Sequence, residues 1–144
     1  MYSKEETQKL KREFWVTFAD KYPRKWVLYD TKIKDFSFKF YVDNKKALVL
    51  IDIEHRSDDK RLAYFEKMEA LRNILEQEFI NDLVFEKEFI LENGKTISRI
   101  WVEKLDVSVS NRKYWDEIFE FYNEKMNSIE LFYKEYNDFI KDID

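Results

Sequence analysis

The sequence predicts an α+β domain: an antiparallel sheet of four to five strands with N-terminal, central and long C-terminal helices packed on it, in the order α-β(β)β-α-β-β-α. Three stretches carry that prediction. Ala47-Leu48-Val49-Leu50-Ile51 is apolar at every position, as a strand buried on both faces requires. Leu62, Phe65, Met68, Leu71, Leu75 and Phe79 then recur every three or four residues, the apolar stripe of a helix lying on a sheet. Asn93-Gly94 separates two alternating runs and marks a hairpin.

A chain of 144 residues suits one domain, 1–144, with a sizeable core. Hydrophobic residues make up 44% and aromatic ones 18%, which predicts a folded, ring-rich protein. One glycine and one proline leave little loop punctuation, so long elements with short connections are expected. The absence of cysteine excludes disulfides, thiolate catalysis and Cys-ligated zinc. A single glycine cannot build a phosphate-cradling loop. The opening MYSKEETQKLKREFW lacks an apolar targeting core, and no run approaches the roughly 18 residues of a membrane span. A cytoplasmic protein with no membrane partner is expected.

Taken in order, Ser3 and Glu6 have capping-box spacing and open a helix whose stripe is Leu10, Phe14 and Phe18, ended by Tyr22-Pro23. Trp26–Tyr29 reads as an optional short strand. Phe36, Phe38, Phe40 and Val42 alternate with polar neighbours, and the turn Asp43–Lys46 pairs that strand with the apolar run. Asp52 and Glu54 share one face at the end of that run, and Asp58-Asp59 suit the start of the central helix. Beyond it, Leu83, Phe85, Phe89 and Leu91 fall on one face of a strand by simple alternation. The return strand puts Ile100 and Val102 on one face and Ile97, Arg99, Trp101 and Glu103 on the other. Residues 105–109 suit a short strand or an extended connector. Ser110-Asn111 can cap a last helix whose seam runs through Trp115, Phe119, Tyr122, Met126, Ile129, Tyr133, Tyr136, Ile140 and Ile143. An unbroken helix of that extent would be about 48 Å long. It must bend near Asn127-Ser128 or protrude, and a protruding end would serve as a homodimer contact.

Several of these segments, SKEE…FW, DNKKA, LIDIEHR…YFEKMEALRNIL, ENGKTISRIW and the aromatic helix from Tyr114-Trp115, together resemble a bacterial family catalogued only as a domain of unknown function. The likeness spans nearly the whole chain, and none of its motifs is a catalytic signature. In some relatives a similar unit follows a restriction-endonuclease-like domain, which implies a setting in DNA processing or defence by analogy.

Three groups of residues could carry chemistry. Glu54-His55-Arg56 sits where restriction-type nucleases place acid-x-Lys, with Asp35 or Asp43 as the second carboxylate for Mg²⁺. Arg56 departs from that pattern, because a guanidinium stays protonated. In the nuclease alternative Glu54 and Arg56 are catalytic, Glu54, Asp35 and Asp43 hold the metal, and Mg²⁺ is the cofactor; otherwise none is expected. His55, the chain's single histidine, reads more plainly as a surface residue than as a general base. Residues 21–46 hold eight basic groups against three acids, and Arg24, Lys25, Lys32, Lys34 and Lys39, interleaved with rings, form the nucleic-acid candidate. An ordinary charged loop in a chain that is 39% charged is the plain alternative. Trp101 and Arg99 would anchor a protein interface if their face is open. Burial of Trp101 under the last helix is the plainer expectation. The favoured reading is a non-enzymatic binding or assembly module with a protein or nucleic-acid partner.

Overall fold

The computed structural model describes residues 3–143. Its elements are α1 (Lys4–Lys21), β1 (Phe36–Val42), β2 (Lys46–Ile53), α2 (Asp58–Ala70), α3 (Arg72–Glu78), β3 (Val84–Ile90), β4 (Thr96–Leu105) and α4 (Trp115–Lys141). The four strands form one antiparallel sheet in the order β1-β2-β4-β3. Among the described residues no helix is long and apolar enough to cross a membrane.

Helix α1 starts where Ser3 Oγ accepts the Glu6 N–H at 3.1 Å, and it buries Leu10, Phe14 and Phe18. The optional strand at Trp26–Tyr29 does not form. That segment touches the outer edge of β1 through one bond, Phe38 N–H to the Leu28 carbonyl at 3.0 Å. The extended repeat is broken because Leu28, Lys32 and Asp35 all adopt positive φ.

Pairing registers define two faces of the sheet. On the helix side lie the rows Phe36–Ile53–Ser98, Phe38–Ile51–Ile100–Phe85 and Phe40–Val49–Val102. The buried residues of α1, α2, α3 and α4 join this face in one continuous core. Ring contacts dominate it: Phe18 meets Phe40 and Phe119, Tyr122 meets Phe40, and Tyr133 meets Phe38, with centroids 4.7–5.3 Å apart.

The central helix is interrupted at Leu71, whose N–H is shared between the Lys67 and Met68 carbonyls, so α2 and α3 replace the single expected helix. The stripe also shifts: Arg61 is buried, while Leu62 is only partly so. Helix α4 runs unbroken through Asn127-Ser128 for 27 residues, about 40 Å. It is continuous there, and its far end does not stand clear of the domain, because α2 and the residue that caps α3 meet it. Phe79 packs on Phe132 and Tyr136, Lys67 lies over Phe139, and Ile140 is fully buried. The seam is therefore largely packed within the chain.

Strand β3 holds a bulge between Glu86 and Phe89. It puts Phe85 on the helix side, against Phe65, and Phe89 on the opposite side, against Trp101. Simple alternation had placed both rings on one face. At the hairpin tip Gly94 (φ 86°) closes a turn through its N–H to the Leu91 carbonyl, and the loop between the strands is five residues long, 91–95. The connector after β4 is extended and unpaired as a strand, with Val107 and Val109 N–H groups donating to the Lys45 and Asp43 carbonyls.

Candidate functional site

The face of the sheet opposite the helices carries the rows Ser37–Asp52–Arg99–Glu86, Lys39–Leu50–Trp101–Val84 and Tyr41–Leu48–Glu103. Leu48, Leu50 and Ile97 are buried here yet stand outside the core that the helices share. Side chains of the sheet itself shelter them. Trp101 is half-buried and meets Phe89 edge-on at 5.8 Å, Arg99 lies over Phe89 at 4.4 Å, and Tyr41 is 42% exposed. Trp101 is thus not covered by α4, and the open-face alternative for Trp101 and Arg99 is the one realised.

A charge network sits at the centre of this face. Asp52, fully buried, accepts two bonds from Arg99 (Nε at 2.7 Å, Nη2 at 2.9 Å) and one from Lys39 at 3.0 Å. Lys39 also donates to Glu54 at 3.0 Å. Burial pulls the Lys39 ammonium down, but Asp52 and Glu54 more than offset it and hold its pKa above the ordinary lysine value. Two acids and two bases thus neutralise one another, while Glu86 and Glu103 on the same face form no ion pair among the described residues.

The carboxylates expected to join Glu54 are not brought to it together. Asp35 lies beside Glu54 in register, where its carbonyl accepts the Glu54 N–H at 2.7 Å, but its carboxylate faces His55 Nδ1 at 4.0 Å. Asp43 lies next to Lys46 at the other end of the hairpin, about 26 Å of strand away from Glu54. Asp52 is the acid that Glu54 approaches, through Lys39. Among the described residues no group of three His, Asp or Glu side chains converges as a metal site would.

Asp43 has a turn-forming role instead. Its carboxylate accepts the Lys45 and Lys46 N–H groups at 2.7 and 2.9 Å and the Tyr41 hydroxyl at 2.9 Å. Burial pushes this carboxyl up, but those hydrogen bonds outweigh it and hold the pKa below the ordinary aspartate value. A carboxyl depressed in the folded state adds stability above its unfolded pKa and loses it as pH falls through the folded one. Asp43→Ala is therefore expected to cost about 1 kcal/mol in urea unfolding at pH 7. The difference from the parent protein should shrink toward zero once the buffer is acidic enough to protonate Asp43 in both states.

The basic stretch is dispersed. Arg24 pairs with Glu130 of α4 and stacks on Trp26, Lys32 pairs with Asp30, Lys25 is exposed, Lys39 belongs to the open face, and Lys34 lies near the start of α2. Three residues important to the architecture of the site were not among the candidates: Asp52, Phe89 and Arg61. For Asp52 the available signal was an acid inside an otherwise apolar strand. For Phe89 the bulge removed any sequence signal, and Arg61 reads in sequence as an ordinary charged position of a helix.

A family model described as a domain of unknown function (DUF4268) matches residues 10–137. The chain belongs to that family. The DUF4268 match runs from within α1 to near the end of α4, so the open face and its charge network lie wholly inside the family unit. Comparison with curated proteins and with solved structures yields no match.

Proposed function

We propose that this DUF4268 domain is a non-enzymatic, cytoplasmic binding module that docks a protein on the open face of its sheet. The setting in bacterial DNA processing or defence is the one its family resemblance implies. One observation carries the reading: the half-buried rings Trp101 and Phe89 lie beside the charge network on a face that no helix covers among the described residues, with Leu48 and Leu50 buried beneath, and they are flanked by Glu86 and Glu103, which form no ion pair there. Lys39 and Arg99 are committed to Asp52 and Glu54, and Lys46 at the end of the face is outnumbered by Glu86 and Glu103, so the uncompensated charge is net negative. A partner that presents an apolar anchor flanked by Lys or Arg is complementary to it. A second copy of this chain would set acid against acid.

Selection of peptides from a random displayed library on the intact protein tests the reading. Enriched ligands should combine a large apolar residue with flanking basic ones. Trp101→Ala should weaken them at least tenfold, as loss of an interface anchor does. Glu103→Lys, at an exposed position that leaves folding intact, should weaken them as well. Ligands indifferent to both substitutions would remove the sheet face as the docking site.

A further inference from the structure

We propose that a cavity where β2 leads into α2, separate from the open sheet face, binds a phosphate monoester. The cavity has a volume of about 490 Å³ and is lined by Lys34, Asp35, His55, Arg56, Ser57 and Lys60. Its three cations come from three places: the loop before β1, the β2–α2 connection and the first turn of α2. Backbone pairing assembles them. The bond from Glu54 N–H to the Asp35 carbonyl brings Lys34 and Asp35 alongside His55 and Arg56.

Lys34, Arg56 and Lys60 form no ion pair among the described residues, whereas Arg24, Lys32 and Lys39 of the neighbouring basic stretch each do. Asp35 is the one acid in the lining, so the cavity carries a net charge of about +2 before His55 is counted. His55 is held by stacking on Tyr64 at 5.4 Å. Its Nε2 is buried without a partner, and its Nδ1 lies 4.0 Å from Asp35, beyond hydrogen-bond reach. An arginine fork and two ammonium groups converging on one space are what a dianionic phosphate requires. The volume is many times the roughly 30 Å³ of a water molecule, which leaves room for the group esterified to the phosphate.

That ester could belong to a small metabolite or to the end of a nucleic acid, and the two are separable. The intact ¹⁵N-labelled protein would be titrated with glycerol 3-phosphate and with a 5′-phosphorylated trinucleotide, each against its unphosphorylated counterpart. Saturable shifts at the amides of Lys34 and residues 55–60, seen only with the phosphorylated compounds, are expected. Arg56→Ala with Lys60→Ala, both exposed, should weaken binding at least tenfold. Asp35→Asn should tighten it several-fold, because it removes the one opposing charge and asparagine tolerates the φ of 59° found there. Tighter binding of the trinucleotide would assign a nucleic-acid end, and equal binding a free ester. Shifts absent from these amides at millimolar ligand, or unchanged by the double substitution, would overturn the proposal.

Discussion

Asp52→Ala is expected to destabilise the protein by about 3 kcal/mol, the cost of removing one partner from a buried ion cluster. Asp52 is fully buried on the open face and holds Arg99 through two bonds and Lys39 through one. Alanine would leave both cations in an apolar surround, and Lys39 would keep only Glu54. Their side chains are 17% and 27% exposed, so each can turn partly toward water, which places the expectation at the low end of the usual range. Replacing the whole cluster (Lys39→Met, Asp52→Leu, Glu54→Gln, Arg99→Leu) should recover most of the loss, since a neutral set of similar volume strands no charge. Urea unfolding of the three proteins decides the matter. A loss below about 1 kcal/mol for Asp52→Ala would mean that the cations rehydrate freely and that the cluster contributes little to the face. Because Arg99 also lies over Phe89, the same substitution should weaken peptide binding at Trp101.

What the sequence made legible divides along a physical line. Strand β2 and the faces of β4 were readable because apolar runs and strict alternation report burial directly, and nothing interrupts either strand. The last helix was readable as a seam, but the cover on its far end was not, since that depends on where the chain folds α2 and Phe79 back onto it. Strand β3 was misread past Glu86 because a single bulge moves every later side chain to the other face. How the basic stretch is distributed was not legible for a related reason. Neighbours in sequence across turns and an alternating strand are sent to different surfaces, and Lys34 ends beside Arg56 and Lys60 from another segment. Asp43 illustrates the same limit: only the hairpin register shows that it and Glu54 lie at opposite ends.

The bulge has an identifiable anchor, and Arg61→Ala should cost about 4 kcal/mol in urea unfolding, through lost packing and unsatisfied buried groups together. The Arg61 side chain is 2% exposed. Its Nη1 donates to the Lys87 carbonyl at 2.7 Å and to Ser98 Oγ at 2.8 Å, and its Nη2 donates to Glu88 at 3.1 Å. The guanidinium thus joins α2 to the extra residue of β3 and to β4 at once. Arg61→Met keeps the apolar stem but no donor, so roughly half of the loss should return. Arg61→Lys should fall between, because one ammonium cannot span both sides of a planar fork. Amide exchange at Lys87–Ile90 should accelerate in all three variants more than exchange at Val102, which lies in the middle of the sheet. Phe89 depends on the bulge for its place beside Trp101, so a loosened β3 should also weaken ligands of the open face. If Arg61→Met matches the parent protein in stability and in exchange at Lys87–Ile90, the bulge is held by strand pairing alone, and the buried arginine has no part in shaping that face.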